Sequence, residues 1–451
     1  MRQSTLATQS SYAESVNPQW VRLLDLLGMN VRYERCQGAE LIAEDGTRYL
    51  DFLSGYCVHN TGHNHPHIIA ALKQELDRSG PAMLQSHVPE LAGELAQRLC
   101  ALADGNLTKA FFCSSGSEGV EAAIKFARAT TKRNGLLYCE GAFHGLTCGA
   151  LSLMDNSFWR EGFGPLLADT TAIPFDDLAA LEQQLQTRKY AAFFVEPVQS
   201  EGGIRVPASG YLRAAQQLCK GYGSLFVLDE VQTGMFRTGR FLAAHHFDVQ
   251  PDMVVLAKAL SGGLIPVGAV LMKEEISDAV YSSLQRAIVH TSTFGENALA
   301  MRAGLATLDV LEQEDLGTRS IELGNLLRER LNQALAPYEM FAGTRGLGLL
   351  SGAEFRPPTK LSLRLSFQAF RAIHPAMFGQ MLVMRFFRQE KILTQMCGNN
   401  FMVLKTAPPL VADATQIHHF VDAAQQVVSD LHNSTAFWSE SLSLARRAMN
   451  V

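Results

Sequence analysis

The stretch VVLAKALSGG, residues 254–263, places one lysine between an apolar run and a glycine-rich turn. Similar short apolar runs precede it at 110–113, 136–139, 191–195 and 224–228, and segments of helix length separate them. Continuous apolar runs of this length are typical of parallel strands that are covered on both faces. The sequence therefore predicts an α/β domain in which helices flank a sheet.

The segments on either side of this region have different patterns. Residues 20–28 predict a short amphipathic helix, and residues 41–52 predict a hairpin that turns at Asp45-Gly46. Apolar spacings of three and four predict two helices between residues 68 and 103. From about residue 297 a long helical stretch leads into a second region, which we expect to be α+β.

Composition and charge exclude several classes of protein. The 451 residues are 47% hydrophobic and 18% charged, which is ample material for a sizeable core. A formal net charge of −5 gives no general attraction to nucleic acid or to anionic membranes.

No apolar run reaches the ~18 residues of a membrane span, and the polar N-terminus does not resemble a secretory signal. The eight cysteines form no CxxC pair, so we expect free thiols and a cytoplasmic protein.

Two charged residues follow apolar runs, where sheets of this kind bind ligands. Lys258 follows the apolar run 253–256, and burial there would lower the pKa of its amine, as an imine-forming lysine requires. Asp229 ends the run that begins at Phe226, where its carboxylate would pair with a protonated ring nitrogen. Each residue also has an ordinary explanation, a lysine that extends to solvent or an aspartate that caps a helix.

A third segment, Ser114–Glu118, lies between a predicted strand and a predicted helix. Its small residues let the backbone approach a ligand, and the helix N-terminus favours an anion such as phosphate, although a plain serine N-cap would look the same. A phosphorylated pyridine aldehyde needs a lysine, a carboxylate at its ring nitrogen and a phosphate site. The three segments together therefore predict pyridoxal 5'-phosphate (PLP) as the cofactor.

The order of these segments resembles that of class III, or ω-type, aminotransferases, which are PLP enzymes of fold type I (aspartate aminotransferase-like). The resemblance covers about residues 35–430 and is greatest to putrescine aminotransferase-like members. It implies a large domain with a mixed, mostly parallel sheet, and a smaller α+β domain. The expected units are an N-terminal segment that contributes to the small domain, a large PLP-binding domain and a C-terminal small domain, at residues 1–85, 86–325 and 326–451. The matching stretches are YLDFLSGYCVHNTGHNHP (49–66), FFCSSGSEGVEAAIKFAR (111–128), GAFHG (141–145), VEPVQSEGG (195–203), LDEVQTG (228–234), AKALSGGLIPVGA (257–269), HTSTFGENALA (290–300) and KTAPPL (405–410).

The resemblance also implies roles for single residues. Lys258 would form the Schiff base with PLP and shuttle a proton, and Asp229 would bond the pyridine nitrogen. Thr293 would reach the phosphate of a neighbouring subunit, which implies a homodimer with shared sites and leaves a tetramer open. The other implied cofactor contacts are Ser115, Gly116 and Ser117 at the phosphate, Phe143 and Val231 on the ring faces, Gln232 at the phenolic oxygen, and His144 and Glu196 around them. The implied substrate contacts are Tyr56, Val58, Glu201 and Lys405.

Two positions depart from the family pattern. Many relatives carry an arginine after FHG that binds the side-chain carboxylate of glutamate, and here the residue is Leu146. Relatives also carry an arginine before the PPL motif that holds an α-carboxylate, and here it is Lys405, which keeps the charge but lacks the planar fork. We expect that Glu201 pairs with Lys405 when no carboxylate is bound. The hypothesis is a preference for amines without an α-carboxylate, with bulky or apolar groups tolerated.

Several functions remain open from the sequence. The main prediction is an aminotransferase that moves an amino group from a primary amine, diamine or ω-amino compound to a keto acid or aldehyde by a ping-pong mechanism. The alternatives are an α-amino acid or acetylornithine/ornithine-type aminotransferase, and a PLP aminomutase or racemase. Gln232 favours transfer over an aminomutase, in which an apolar residue is more usual. Together, Lys258, Asp229 and Gln232 argue against a catalytically inactive interaction protein.

Three further features have an ordinary structural interpretation that we favour. His59, His63, His65 and His67 are dense enough to suggest a metal, but no carboxylate or cysteine in the sequence completes a ligand set, so no metal site is predicted. His144 and His290 are expected to be hydrogen-bonded scaffold residues. The apolar and basic segment 360–387 is interpreted as a buried pair of helices, with a surface that docks on lipid or a partner as the alternative.

Overall fold

The structure is a computed structural model, and it describes residues 11–84, 86–398, 401–433 and 437–438. Part of the polar N-terminus on which the absence of a signal was argued, residues 1–10, lies outside these ranges. Within them, no helix has both the length and the apolar character needed to cross a membrane.

The predicted strands and helices occur in the predicted order, together with strands that the sequence did not predict. The strands are β1 (Tyr33–Gln37), β2 (Glu40–Ala43), β3 (Arg48–Asp51), β4 (Lys109–Cys113), β5 (Gly135–Cys139), β6 (Thr170–Ile173), β7 (Tyr190–Val195), β8 (Leu225–Asp229), β9 (Met253–Leu256), β10 (Gly268–Met272), β11 (Phe341–Leu347), β12 (Leu350–Phe355), β13 (Ile392–Leu393), β14 (Gln395–Cys397) and β15 (Val403–Thr406). The helices of seven residues or more are α1 (Pro18–Leu27), α2 (Pro66–Asp77), α3 (Glu90–Ala103), α4 (Gly116–Thr131), α5 (Leu178–Leu185), α6 (Tyr211–Tyr222), α7 (Glu274–Val280), α8 (Ala298–Gln313), α9 (Leu316–Leu335), α10 (Leu361–Ile373), α11 (Met377–Arg388) and α12 (Ala414–Asn433).

A seven-stranded sheet in the order β4-β10-β9-β8-β7-β5-β6 forms the centre of the fold. Strands β5, β6, β7, β8 and β9 are parallel to one another. Strand β10 runs antiparallel to both β9 and β4. Successive residues of one strand contribute to opposite apolar layers, as Phe193 and Phe194 do in β7. Both layers are buried, which is why these strands are continuous apolar runs in the sequence. The predicted α/β fold with a mixed, mostly parallel sheet is confirmed.

Two smaller sheets complete the fold. One has the order β1-β2-β3-β13, in which β13 pairs in parallel with β3 and so joins the two ends of the chain. The other is antiparallel in the order β11-β12-β15-β14. The predicted domain boundaries at 85/86 and 325/326 stay a prediction.

The apolar and basic segment 360–387 forms most of α10 and α11. Helix α11 is buried along most of its length, including Phe378, Phe386 and Phe387. Helix α10 buries Phe367 and Phe370 but exposes 62% of Leu361 and 59% of Leu365. The interpretation as a buried helix pair therefore agrees with α11 and with one face of α10.

A buried arginine, Arg237, links three distant parts of the chain. It follows β8, and its guanidinium donates to Asn60 Oδ1 in the loop after β3. It also donates to the main-chain oxygens of Leu349, before β12, and Pro408, after β15. Arg237 and these three acceptor residues are all buried, so the acceptors have no access to bulk water if the guanidinium is removed.

Replacing this guanidinium is expected to destabilise the whole fold. Arg237→Leu keeps an apolar stem but leaves the three acceptors buried without a donor, at about 1–3 kcal/mol each. The expected loss is about 3 kcal/mol or more, measured as the free energy of unfolding in urea. Arg240→Leu, at an exposed position three residues later, is the matched control and should change this value little. Equal effects of the two substitutions would contradict the assignment.

Candidate active site

A cavity of about 400 Å³ lies where β5, β7, β8 and β9 end. Ligands bind at the carboxyl ends of parallel strands because the loops there diverge and expose main-chain groups. Most of the predicted cofactor residues meet in this cavity. Those that line it are Ser115, Gly116, Ser117, Phe143, His144, Glu196, Asp229, Val231, Gln232 and Lys258, together with the predicted substrate residue Val58.

Lys258 lies two residues after the end of β9 and is the first residue of a short helical turn. Its φ of +48° is uncommon for a residue with a side chain, and such backbone strain is concentrated at functional sites. Burial lowers the pKa of Lys258, although Asp229 opposes the change. Among the described residues, no hydrogen bond or ion pair holds its ammonium. Lys258 is therefore a buried amine that is available to react with a carbonyl group.

Asp229, the last residue of β8, is held by two donors. Its Oδ2 lies 2.8 Å from His144 Nδ1, and its Oδ1 accepts from the Val231 amide at 3.0 Å. Burial would lower the pKa of His144, but the hydrogen bond and charge of Asp229 raise it. His144 is therefore a hydrogen-bonded residue, as expected, and its partner is the acid of the cavity.

Glu196 joins two loops at the edge of the sheet. It follows β7, and its carboxylate accepts from the amide of Phe143 at 3.0 Å and from the amide of Ser200 at 3.2 Å. Burial raises the pKa of Glu196 to about 7, with Asp229 adding to the effect. The two hydrogen bonds of Glu196 fix the loop after β5, which carries Phe143 and His144, against the loop after β7.

The N-terminus of α4 forms the opposite wall of the cavity. Ser115 caps the helix through its Oγ, which accepts from the Glu118 amide at 3.2 Å. The loop after β5 approaches closely, since a Cβ on Gly145 would lie 2.2 Å from Ser117 Oγ, and the φ of Gly145 is +127°. A Cβ on Gly116 would lie 3.0 Å from Val231 Cγ2. The small residues predicted for a phosphate site therefore leave space at a helix N-terminus that suits an anion.

The other three predicted substrate residues, Tyr56, Glu201 and Lys405, form a group beside the cavity. Lys405 of β15 donates from Nζ to Glu201 Oε1 at 2.6 Å, so the predicted pairing is present. The same Nζ donates to Gln232 Oε1 at 2.8 Å and lies 5.8 Å from the centre of the Tyr56 ring. Burial would lower the pKa of Lys405, but Glu201 raises it, and burial would raise the pKa of Glu201, but Lys405 lowers it. Both partners are therefore charged.

Thr293 is the predicted cofactor residue that the structure does not bring to this cavity. It lies in another depression, together with Pro81, Phe111 and His290. His290 packs against Phe111 and lies 2.7 Å from Lys125 Nζ, away from the cofactor cavity. Thr293 is therefore not placed to contact a cofactor in its own chain.

The four clustered histidines have separate partners. His63 lies 2.7 Å from Asp51, His65 lies 3.0 Å from Glu314, and His59 stacks on His63. In the part of the chain that the structure describes, no group of three or more histidine, cysteine or acidic residues is arranged to hold a metal ion.

Sequence reasoning missed the apolar part of the cavity wall. The loop between Ser261 and β10 contributes Leu264, Ile265, Pro266 and Val267 to it. These residues lie within the quoted stretch 257–269, but nothing in a loop sequence indicates which side chains face a ligand. The contact of Lys405 with Gln232 was also not predicted, because it depends on how β15 packs beside the loop after β8, which no local pattern indicates.

Comparison with known proteins identifies the class. The sequence profile of the class-III aminotransferases matches residues 27–428. The chain is 37% identical to a putrescine aminotransferase of Pectobacterium atrosepticum, over 87% of this chain and 81% of that protein. It is 34% identical to the aminotransferase PigE of a Serratia species, over 94% of this chain. The chain spans about half, 53%, of the length of PigE.

Solved structures agree with this assignment. An ornithine aminotransferase of Toxoplasma gondii superimposes with a TM-score of 0.78 at 30% identity, covering 89% of this chain and 91% of that one. An amine transaminase from an uncultivated Pseudomonas species, in a PLP-bound form, has a TM-score of 0.78 at 27% identity, covering 89% and 95%. The chain belongs to the class-III aminotransferase family, and the prediction of an enzyme of this type is confirmed.

The prediction of PLP as the cofactor is confirmed by the family and by this PLP-bound relative. The residues present fit it: one cavity offers the free amine of Lys258, the carboxylate of Asp229 and the small-residue helix N-terminus at Gly116. The apolar side chains of Phe143 and Val231 are available for the ring faces.

Proposed function

We propose that this enzyme moves an amino group from a primary amine, diamine or ω-amino compound to a keto acid or aldehyde in two half-reactions. Bound PLP supplies an electron sink that stabilises negative charge at the carbon bearing the amino group. Lys258 holds the cofactor and moves a proton at that carbon. Asp229, fixed by His144 and by the Val231 amide, holds a proton at the ring nitrogen. The meeting of Lys258 and Asp229 in one cavity carries this proposal.

The donor preference follows from the state of Lys405. Its side chain is 0% exposed, and its charge is already neutralised by Glu201. An α-carboxylate would have to break this ion pair or share it, and both cost free energy because a separated carboxylate in a buried site is poorly solvated. A donor without an α-carboxylate leaves the pair intact. This supports an amine rather than an α-amino acid as donor.

An apolar rim at the cavity supports bulky or apolar substrates. Leu146 is 52% exposed, and its amide is bonded to Ser117 Oγ at the helix N-terminus of the site. The Phe143 ring contacts Trp159 edge-on at 5.7 Å, and Trp159 contacts Phe158, which is 75% exposed. An apolar surface beside a cofactor site stabilises substrates with apolar groups through burial.

Supplying the missing cations should change the donor preference. In the double variant Leu146→Arg/Lys405→Arg, we expect kcat/KM for glutamate to rise about 10- to 100-fold relative to putrescine, since each planar guanidinium can bind a carboxylate in a bidentate manner. The measurement is the initial rate with each donor and one acceptor. Leu146→Gln/Lys405→Arg is the matched control, because it lacks the cation at position 146 that would bind the side-chain carboxylate of glutamate. A wild-type enzyme that already prefers glutamate would contradict the proposed donor class.

An ornithine-type aminotransferase is the second candidate, because Lys405 preserves a cation where that class needs one and the fold matches an ornithine aminotransferase. Its donors carry both an α-carboxylate and an ω-amine. The same rates decide between the two, since ornithine would then exceed putrescine in wild-type kcat/KM.

We further propose a homodimer with shared sites, and leave pairing of dimers into tetramers open. The position of Thr293 supports the dimer, since it lies outside the cofactor cavity of its own chain. Large apolar side chains are exposed near it, including Phe294 at 60% and Ile288 at 80%. Exposed apolar groups of this size favour an interface.

Thr293→Ala tests this arrangement. If Thr293 binds the phosphate of the neighbouring subunit, the loss of one hydrogen bond to a charged group should weaken PLP binding about tenfold. The measurement is the recovery of bound PLP absorbance as the cofactor is titrated into the apoenzyme. Thr291→Ala, at a nearby exposed position, should leave the affinity unchanged. A wild-type mass in solution of one 49.4 kDa chain would contradict the dimer.

A cytoplasmic location is also proposed. All eight cysteines lie in the described ranges and are free, which is usual in a reducing compartment.

A further inference from the structure

Glu201, Lys405 and Gln232 form a closed set of hydrogen bonds, referred to here as the Lys405 network. Lys405 Nζ donates to Glu201 Oε1 at 2.6 Å and to Gln232 Oε1 at 2.8 Å. Gln232 Nε2 donates to the same Glu201 oxygen at 3.4 Å. Only Gln232 of the three lines the cofactor cavity. The network therefore connects the substrate-side ion pair to a side chain beside the cofactor.

The chemistry of the partners fixes how the Gln232 amide is oriented. An ammonium has three donors and no acceptor, so only the Oε1 end of Gln232 can face Lys405. An ionised carboxylate only accepts, so only the Nε2 end can face Glu201. Each end of the amide thus has a partner that rejects the opposite end. The second hydrogen of Nε2 remains as a donor on a residue that lines the cavity.

We propose that Lys405 is a positioning residue for the cofactor, because it locks the Gln232 amide with its nitrogen as the donor to the phenolic oxygen of PLP. The proposal deepens the function proposed above and rests on it for the presence of PLP. Without Lys405 the amide is free to rotate, and its oxygen can take the place of the donor. A flipped amide would then repel the phenolic oxygen, since both groups are acceptors.

This arrangement is expected to affect the turnover of donors that carry a carboxylate, and not only their binding. A lysine has a single nitrogen, and two of its three hydrogens are used by Glu201 and Gln232. A substrate carboxylate that binds this nitrogen is repelled by the bound Glu201 carboxylate, so firm binding has to displace Glu201 and draw Lys405 away from Gln232. An arginine fork has five donors on three nitrogens and can serve both partners at once. Carboxylate donors are therefore expected to lose kcat as well as affinity.

Other titratable groups surround Lys405 and must be separated from the effect. Cys57 and Cys397 contribute to the raised pKa of Lys405, after the larger effect of Glu201. The centre of the Tyr56 ring lies 5.8 Å from Lys405 Nζ. Lys258 is close enough for the charges of Lys405 and Glu201 to reach it. Removing Lys405 alone would therefore change the field at the cofactor, whereas removing the charges of Lys405 and Glu201 together would leave the net charge as it was.

The test is a pH titration of the absorbance of bound PLP in the holoenzyme, without any donor. Lys405→Met should raise the pH midpoint of the spectral change by about one unit, because the phenolic oxygen loses its donor and becomes more basic. Gln232→Met should cause the same shift. Lys405→Arg, which retains a donor to Oε1, should stay within a few tenths of wild type.

A double variant decides whether Lys405 acts through Gln232. If it does, Lys405→Met/Gln232→Met should shift no further than Gln232→Met alone, because the two residues form one unit. Two shifts that add would mean that the charge of Lys405 acts through space, and the proposal would fail. An unchanged midpoint in Lys405→Met would also overturn it.

Lys405→Met leaves the Glu201 carboxylate without its partner, which can prevent folding. The neutral pair Lys405→Met/Glu201→Gln removes that problem and should raise the midpoint as Lys405→Met does, while an unshifted midpoint in this folded pair would sink the proposal. The outcomes are separable from the function itself, because no substrate is used. A wild-type protein that shows no absorbance of bound PLP would instead contradict the proposed function.

Discussion

Four parallel strands, β5, β7, β8 and β9, end at the same edge of the central sheet. Each continues into a residue of the site: Phe143 and His144 after β5, Glu196 after β7, Asp229 at the end of β8 and Lys258 after β9. Because these strands are buried on both faces, their apolar residues fix their register, and the loops inherit fixed positions. The chemistry therefore depends on a packing constraint that lies outside the reacting groups.

Beside that edge lies a charge arrangement that stability alone does not require. A buried ion pair such as Lys405 with Glu201 adds little net stability, because the cost of desolvating two charges offsets their attraction. The effect that we propose for it is on selectivity, because a neutralised, fully buried ammonium is a poor receptor for a donor carboxylate. With Leu146 in place of a second cation, the substrate side of this site has an apolar rim and one charge that is already paired.

The fold was largely predictable from the sequence. The apolar runs at 136–139 and 253–256 match β5 and β9 to within a residue, because a strand buried on both faces has no polar positions. Strand β6 (Thr170–Ile173) was missed, because it is short, contains two threonines and is mostly half-buried. Strand β10 was also not predicted, and only its first two residues, Gly268 and Ala269, fell within a quoted motif. Its residues GAVLM are all buried, so it has the same continuous apolar pattern as the parallel strands beside it although it runs in the opposite direction.

The candidate site was predictable as a set of residues but not as a set of contacts. Lys258, Asp229 and Ser115–Ser117 were identified by their positions after strands or before a helix. The pairing of Lys405 with Glu201 was expected from the resemblance to the family, and the structure contains it. The additional bond from Lys405 to Gln232 depends on where β15 of the small antiparallel sheet meets the loop after β8, which no local pattern encodes.

The most direct test of this account is the absorbance of the purified holoenzyme when a single donor is added without an acceptor. We expect the band of bound PLP to decrease with putrescine or an aryl-alkyl amine, and to change little with glutamate, because Lys405 is held by Glu201 and Gln232. A large and rapid decrease with glutamate, and little with amines, would mean that Lys405 binds donor carboxylates and would contradict the account.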